Sequence, residues 1–309
     1  MGRSVNLEEF PMRIFLTGAT GFIGSRILPE LLGAGHEVIG LTRSEAGARA
    51  LTAAGAQAHL GNLEDLASIR AGAERADAVI HTAFDHDFSK YAASCEQDRH
   101  VIDALGAVLG GSERPLLITS AVIMGAPDDG SPAVETLFTV RHHPRSSAEL
   151  AGEALLERGV NLSVVRLPQV HDTVKQGLIT PYVELAREKG VVAYVGDGEN
   201  CWSAGHVLDV ARLYRLALER AEPGARYQAV AEEGVALREI AASVAAGLDL
   251  PLVSLSPEDA ATHFGWFAMF AATDMSASSA RTRALLGWEP SGPGLIADLE
   301  RMDYSSVAI

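Results

Sequence analysis

Three glycines near the amino terminus are the residues whose spacing first suggests chemistry. Gly18, Gly21 and Gly24 recur every third position, directly after the apolar residues 14–16. A strand that turns through glycines into a helix brings backbone N–H groups and the helix dipole close to a phosphate. Apolar residues at helical spacing follow, so the pattern predicts a strand, a tight turn and a helix around a pyrophosphate. The predicted contacts form one run of residues: Gly18, Ala19, Thr20, Gly21, Phe22, Ile23 and Gly24.

The end of the next predicted strand, residues 36–43, indicates which dinucleotide binds. Residues 38–44 contain no acidic residue that could accept a hydrogen bond from a ribose 2′-hydroxyl. Arg43 and Ser44 instead offer a guanidinium and a hydroxyl, which suit a 2′-phosphate. We therefore predict that the cofactor is NADP, used as NADPH, and not NAD.

The glycine motif, Thr17-Gly-Ala-Thr-Gly-Phe-Ile-Gly24, resembles the cofactor motif of the extended short-chain dehydrogenase/reductase superfamily. That superfamily includes nucleotide-sugar epimerases and dehydratases. The resemblance implies an α/β fold, with a doubly wound parallel (Rossmann) sheet and a smaller C-terminal substrate lobe. It also implies an adenine contact from Asn62, which stands where an Asp is usual and keeps an acceptor oxygen. The remaining cofactor contacts that it implies are Leu63, Thr82, Ala83, Phe84, Thr119, Leu167 and Pro168.

The catalytic residues of that superfamily are only partly present. The segment around residues 114–125 resembles the family segment that carries a catalytic Ser or Thr, and it places Ser120 at that position. A serine hydroxyl there can donate a hydrogen bond to a substrate oxygen. The family's Tyr-x-x-x-Lys pair is absent between residues 120 and 170, and Arg145 and Glu149 stand in the two places. The proton donor must therefore be another group.

Several titratable residues are candidates for that role or for substrate contact. We prefer His171, because histidine titrates near neutrality and its segment resembles one that borders the nicotinamide. His142, His143 and Arg145 are alternatives near the predicted helix that carries Arg145.

Two further segments have open interpretations. The loop with His86, Asp87 and Tyr91 either touches substrate or is solvated, and His81 is interpreted as a core residue. The aromatic segment 263–270 either lines an apolar pocket or packs the lobe.

The order of predicted elements suggests how the chain is organised. Residues 1–11 are expected to form a flexible N-terminal extension without the features of a secretory signal. Residues 12–170 are expected to form the NADP-binding Rossmann domain. Residues 171–309 are expected to be mixed, with about 205–231 returning to the main sheet and the rest forming the substrate lobe.

Composition limits the partners. The formal net charge is −15, which argues against nucleic acid, and we find no apolar run of the length that a bilayer requires. Cys95 and Cys201 lack metal-ligand spacing, so we predict no metal site and a cytoplasmic location. The resemblance alone suggests a homodimer.

We therefore expect an atypical NADPH-dependent oxidoreductase that transfers hydride to a small, fairly apolar carbonyl or related substrate. Two alternatives are kept. One is a nucleotide-sugar-type epimerase or dehydratase, which is weakened because those reactions use the missing Tyr. The other is a binding protein that senses NADP without turnover.

Overall fold

The computed structural model describes residues 11–139 and 143–306. Residues 1–10 of the predicted extension, and His142, lie outside the described residues. The described residues form twelve β-strands: β1 Arg13–Thr17, β2 Glu37–Thr42, β3 Gln57–Leu60, β4 Ala78–His81, β5 Leu116–Ala121, β6 Leu162–Leu167, β7 Gln169–His171, β8 Val192–Val195, β9 Cys201–His206, β10 Arg226–Gln228, β11 Glu232–Ala236 and β12 Leu252–Leu255.

Twelve α-helices also lie within the described residues. They are α1 Gly24–Gly33, α2 Glu45–Ala53, α3 Leu66–Glu74, α4 Tyr91–Leu109, α5 Ser146–Glu157, α6 Ile179–Lys189, α7 Val207–Arg220, α8 Leu237–Leu248, α9 Pro257–Phe264, α10 Ala268–Ala271, α11 Ala280–Leu286 and α12 Leu295–Arg301.

Seven of the strands form one sheet, in the order β10-β6-β5-β4-β1-β2-β3. Each neighbouring pair in this sheet is parallel. The order reverses at β1, so β2 and β3 lie on one side of it and β4, β5, β6 and β10 on the other. This is the doubly wound arrangement, and it confirms the predicted fold class.

The sheet is buried on both faces, as a parallel sheet with helices on each side must be. Alternate residues of β1 separate accordingly: Ile14 and Leu16 belong to one apolar cluster, which includes residues of α1 and α7, and Phe15 belongs to another, which includes residues of α3, α4 and α5. The predicted return strand is present as β10, where Arg226 pairs with Val164 of β6. The carboxyl ends of the strands are therefore held by packing from both sides.

The later elements build a separate apolar cluster. Residues of β8, α6, α8, α9 and α12 contribute to it, and Trp202 of β9 is among its fully buried members. Helix α8 and strand β12 also lie in this part of the chain, where β12 pairs with β8 in a two-stranded sheet. Three strands were not predicted, namely β7, β9 and β11, which form a small sheet of their own.

None of the helices in the part of the chain that the structure describes is both long and apolar enough to cross a membrane.

Candidate active site

One cleft crosses the carboxyl ends of the sheet strands and reaches the C-terminal elements. Its volume is about 1490 Å³, and its lining runs from the glycine turn through Ser120 to the aromatic segment that contains Trp266. Ligands in open α/β sheets bind at this edge, where the strand order reverses. The cleft lining includes most of the predicted site residues. The exceptions are Ala19, Ser44 and His171.

The glycine turn is too tightly packed at Gly18 and Gly24 to accept a side chain. Gly18 has φ +71°, and a Cβ there would lie 2.7 Å from Thr82 Oγ1 and 2.9 Å from the Ala83 nitrogen. A Cβ at Gly24 would overlap the carbonyl oxygen of Gly18. Helix α1 begins without a side-chain cap and without an acidic residue in its first turn. Its N–H end can therefore receive an anion, and the turn fits a dinucleotide pyrophosphate.

Two of the predicted cofactor residues do not face the cleft. Ala19 is only 1% exposed and packs in the core against residues of α1 and β2. The Ser44 hydroxyl accepts a hydrogen bond of 3.1 Å from the Gly47 nitrogen and so caps α2. Arg43 lies on the cleft with its side chain exposed. Ser44 Oγ accepts from the helix but keeps its own proton to donate. The 2′-phosphate contact therefore stays a prediction for both Arg43 and Ser44.

Asn62 presents a different atom from the one the sequence suggested. Its Oδ1 accepts hydrogen bonds from the Glu64 nitrogen (2.8 Å) and the Asp65 nitrogen (2.9 Å). Both lone pairs of the amide oxygen are then used, and the amide NH₂ is the group left for a ligand. A contact to adenine from Asn62 would donate a hydrogen bond, not accept one.

Ser120 has a hydroxyl that is both buried and unpaired. The residue is 2% exposed, its Oγ has no hydrogen-bond partner within the described residues, and it lines the cleft. The neighbouring Thr119 hydroxyl is engaged, since it donates to the His81 carbonyl and lies 2.7 Å from the Tyr214 hydroxyl. A buried hydroxyl without a partner is unfavourable, so a ligand oxygen here would relieve that penalty.

Arg145 occupies the place of the missing Tyr and is held by several partners. Its guanidinium donates to Asp98 Oδ2 and, over 2.7 Å, to the Thr119 carbonyl. It also lies 4.5 Å from the centre of the Phe84 ring. Burial opposes its charge, but Asp98 outweighs burial and raises the pKa of Arg145. The cleft therefore contains a fixed cation at a position where the family has a phenol.

A chain of buried hydrogen bonds continues from Asp98 to the glycine turn. Asp98 Oδ1 lies 2.9 Å from His81 Nε2, and His81 Nδ1 lies 2.7 Å from Thr17 Oγ1. Burial would raise the pKa of Asp98, but Arg145 and then His81 outweigh it and lower that pKa. His81 is a core residue, as the sequence suggested, and Thr17 is the residue before Gly18.

Glu149 occupies the place of the missing Lys and is buried away from the cleft. Its two carboxylate oxygens accept hydrogen bonds of 2.8 and 2.7 Å from Arg166, and a third of 2.9 Å comes from Arg226. Arg166 is 0% exposed. The Lys has thus been replaced by a carboxylate that neutralises two neighbouring cations.

The preferred proton donor, His171, is not at the reacting end of the cleft. It is 0% exposed, and its Nδ1 lies 2.7 Å from Asp298 Oδ2. Burial lowers the pKa of His171 more than Asp298 raises it. The prediction is corrected, because β7 joins β9 in a separate sheet and Asp298 of α12 holds the imidazole there.

One tyrosine and two histidines also line the cleft: Tyr91, His86 and His143. Burial raises the pKa of the Tyr91 phenol. Burial lowers the pKa of His143, and Arg145 lowers it further. For His86, which is exposed at the cleft, desolvation is again the largest cause of a lowered pKa, followed by Lys175 and Arg145. Near neutral pH the phenol keeps its proton and the two imidazoles are uncharged.

The aromatic segment 263–270 divides between the two roles that the sequence left open. Phe264 and Phe267 are buried in the apolar cluster of the later elements. Trp266, Met269 and Phe270 line the cleft.

Two residues of this region were missed by the sequence argument, Phe88 in the loop before α4 and Asp98 within α4. An acidic residue on an otherwise apolar helix face is a signal that could have indicated Asp98.

The comparisons with known proteins agree with this architecture. The model of the NAD dependent epimerase/dehydratase family matches residues 14–230. An uncharacterized protein of Schizosaccharomyces pombe is 44% identical over 295 residues, which cover 95% of this chain and 100% of the relative. One of Saccharomyces cerevisiae is 36% identical over 297 residues, with coverage of 95% and 99%. A 4-hydroxy-2-methyl-3-oxo-4-farnesyl-3,4-dihydroquinoline-1-oxide ketoreductase of Stigmatella aurantiaca is 26% identical over 231 residues, with coverage of 70% and 67%.

Solved structures show the same fold. UDP-glucose 4-epimerase of Thermus thermophilus, in complex with NAD, superposes with a TM-score of 0.73 at 22% identity, covering 96% of this chain and 99% of that one. The dTDP-glucose 4,6-dehydratase DesIV of Streptomyces venezuelae gives 0.75 at 18% identity, with coverage of 94% and 96%. With its sheet order, its glycine turn and the match over residues 14–230, the chain belongs to the NAD dependent epimerase/dehydratase family.

Proposed function

We propose that this protein is an NADPH-dependent reductase that transfers hydride to a small, fairly apolar carbonyl compound. The observation that carries the proposal is the buried, unpaired Ser120 hydroxyl, which lies in the same cleft as the glycine turn. The aromatic side chains at the far end of the cleft support an apolar substrate. One of the relatives is named a ketoreductase, which is in keeping with this reaction class.

The residues that would hold the cofactor are the glycine turn, the start of α1 and Arg43. The turn and the uncapped helix offer N–H groups to the pyrophosphate, and Arg43 offers a guanidinium to the 2′-phosphate. When bound, reduced nicotinamide supplies a hydride to the carbonyl carbon.

Ser120 would act on the carbonyl oxygen. Its hydroxyl has no hydrogen-bond partner among the described residues, so it can donate to the substrate oxygen as negative charge develops there. The Thr119 hydroxyl cannot donate to the substrate oxygen in this way, because it already donates to the His81 carbonyl and is hydrogen-bonded to the Tyr214 hydroxyl.

Tyr91 would supply the proton that reduction of a carbonyl requires. The phenol O–H bond breaks, an O–H bond forms on the substrate oxygen, and water later restores the phenol. Burial lowers the pKa of His86 and His143, so few of their imidazoles carry the extra proton near neutral pH, whereas the Tyr91 phenol is protonated. Burial also makes that phenol a weaker acid, so the phenolate that forms needs a neighbouring positive charge. The Arg145 cation lowers the pKa of Tyr91, although less than burial raises it, and would stabilise the phenolate.

The cofactor assignment is tested by fluorescence titration with NADPH and NADH, repeated on Arg43→Ala. A charge-assisted hydrogen bond contributes about 1.5–3 kcal/mol, so NADPH should bind roughly 10- to 150-fold more weakly to the variant while NADH is unchanged. Arg49→Ala is the matched control, because Arg49 is exposed on α2 and does not line the cleft. Equal binding of both cofactors to the parent would refute the 2′-phosphate contact. Binding of neither would indicate a scaffold without redox chemistry.

A second candidate is an NADP-sensing protein without turnover. It is favoured by one observation, that Arg145 and Glu149 replace the usual Tyr and Lys with groups engaged in buried ion pairs. Single-turnover oxidation of bound NADPH by a panel of ketones, imines and activated alkenes separates the two, since a sensor would leave the nicotinamide absorbance at 340 nm unchanged. Cytoplasmic location, a homodimer and the domain boundaries at residues 11 and 170 stay predictions.

A further inference from the structure

Two aromatic segments meet at the far end of the cleft. Phe88 follows β4, in the turn before α4, and Trp266 follows α9. Their rings are stacked, with centroids 4.7 Å apart and planes 8° from parallel. Phe270 packs edge-on against both, at 6.0 Å from Phe88 and 6.3 Å from Trp266. All three side chains line the cleft, so they form a continuous aromatic wall.

This aromatic wall, defined by Phe88, Trp266 and Phe270, is partly open to solvent. Trp266 is 44% exposed, and the neighbouring Met269 is 43% exposed. The other two tryptophans, Trp202 and Trp288, are 0% exposed. A large aromatic side chain left open beside a cleft is typical of a surface that a ligand covers.

The wall continues toward the reacting groups. The Tyr91 ring lies 5.5 Å from Phe88 and 6.2 Å from Phe84, and the Arg145 guanidinium lies 4.5 Å from Phe84. Arg145 in turn donates to the carbonyl of Thr119, the residue before Ser120. A ligand on the wall is therefore next to the groups that the proposed reaction uses.

The charges at this end do not suit a diphosphate. Three Arg or Lys side chains of the described residues line the cleft: Arg43, Arg145 and Lys175. Arg145 is paired with Asp98, and Arg43 follows β2, far along the cleft from the wall. Lys175 lies 5.9 Å from the centre of the Phe22 ring, which belongs to the glycine turn. The acidic Asp85, Asp87 and Glu184 also line the cleft. Recognition of a diphosphate relies on uncompensated cations, and the described residues of this end contain no cluster of them.

We infer that the substrate is a planar, uncharged aromatic ketone, bound with its ring system against the wall. Phe88 and Trp266 cover one face of each other, so a ligand ring packs on the aromatic faces and edges that stay open to the cleft. Such surfaces favour flat π-systems over saturated rings of the same size. This inference rests on the proposed function for its carbonyl, but ring recognition itself needs no cofactor chemistry. The two can therefore fail separately.

The test compares two ketones of matched size by isothermal titration calorimetry, 2-acetylnaphthalene and 2-acetyldecalin, with UDP-glucose as a third ligand. Each is titrated into the full-length protein with and without saturating NADP. We expect the aromatic ketone to bind about three- to tenfold more tightly than the saturated one, as stacking contributes beyond burial of area. UDP-glucose should bind the most weakly.

Trp266→Leu is the variant, because it keeps an apolar side chain and removes the stack. It should abolish the preference for the aromatic ketone, while Leu252→Ala, which removes an exposed leucine outside the cleft, should not. Phe88→Leu removes the same stacked pair from the other segment and should have the same effect.

An unchanged preference in both wall variants, or tighter binding of UDP-glucose than of the ketones, would overturn the inference. If the protein prefers the aromatic ketone but binds no NADPH, the inference about the aromatic wall stands and the proposed reductase function is rejected.

Discussion

The two ends of the cleft are built in different ways. At the glycine turn the proposed cofactor contacts come from the backbone, and Gly18 and Gly24 are required because a side chain would meet neighbouring main-chain or side-chain atoms. At the other end the groups that face the cleft are side chains. Arg145 on the cleft and Glu149, which is buried away from it, stand at the positions of the family's Tyr and Lys. A backbone site therefore leaves a readable glycine motif in the sequence, whereas the side chains at the other end depart from the family's pattern.

The largest effect, on the free energy of unfolding, is expected for Glu149→Lys, which restores the lysine that the family has at this position. The new cation would face Arg166 and Arg226 with no carboxylate between them. Breaking a buried ion pair destabilises a protein by about 3–5 kcal/mol, so the variant should unfold at much lower urea concentration or fail to fold.

Glu153→Gln is the matched control, because Glu153 also pairs with Arg226 but is 45% exposed. It should change the free energy of unfolding by less than about 1 kcal/mol. A stable, well-folded Glu149→Lys protein would show that the buried ion pairs of Glu149 contribute less to the free energy of unfolding than the structure indicates.

The next largest effect is expected for Tyr91→Phe, which should lower the rate of the proposed reaction. Loss of a general acid typically lowers the rate about 100-fold or more, while NADPH affinity should stay at the parental value because the phenol is not at the pyrophosphate end. Single-turnover rates with an aromatic ketone, alongside a fluorescence titration with NADPH, measure both.

The pH profile separates Tyr91 from His143. With a phenol whose pKa is raised above its usual 10, the proton is present throughout, and the rate should be flat from about pH 6 to 9. With His143 as donor, whose pKa is lowered below its usual 6.5, the protonated form would disappear as pH rises through that lowered value. A rate that falls between pH 5 and 7 would therefore reject Tyr91.

A smaller effect is expected at the backbone end, in Gly18→Ala. A φ of +71° costs a residue with a Cβ about 1–2 kcal/mol, and this Cβ would also press on Ala83, so NADPH should bind roughly tenfold more weakly or worse. Gly35→Ala is the control for backbone strain alone, since Gly35 has φ +87° and open space around its Cβ. Equal loss of NADPH affinity in both variants would argue against the proposed pyrophosphate contact.

The smallest effect is expected from Ser44→Ala. Loss of an N-cap side chain costs about 1 kcal/mol, which should appear in urea unfolding. The ratio of NADPH to NADH affinity should fall as well, because the predicted donation from the hydroxyl to the 2′-phosphate is lost. An unchanged ratio would leave Ser44 as the cap of α2 alone.

The sequence was sufficient for the features that local physics determines. The glycine turn depends on steric limits within a few residues, and the apolar strands follow from burial on both faces of a parallel sheet. The resemblance that the glycine motif carries implied the doubly wound fold and the other cofactor residues, and most of the predicted site residues line the cleft.

The errors come from contacts between residues that are distant in the chain. His171 was misplaced because its partner is Asp298, which is 127 residues away, and because β7 joins an unpredicted sheet. The N-cap role of Ser44 was also not predicted, because its partner Gly47 belongs to a helix start that the sequence analysis did not identify. The role of Phe88 could not be predicted, since its stacking partner belongs to a segment near residue 266.

The chain from Thr17 through His81 and Asp98 to Arg145 has a consequence for how the cleft responds to substitution. It joins the strand that precedes the glycine turn to the guanidinium beside Phe84, through buried groups that share hydrogen bonds. Free-energy changes from substitutions within one such network do not add. Double-mutant cycles between Thr17 and Arg145 should therefore give a coupling energy of about 0.5–3 kcal/mol, and substitutions at these four residues have to be interpreted in pairs.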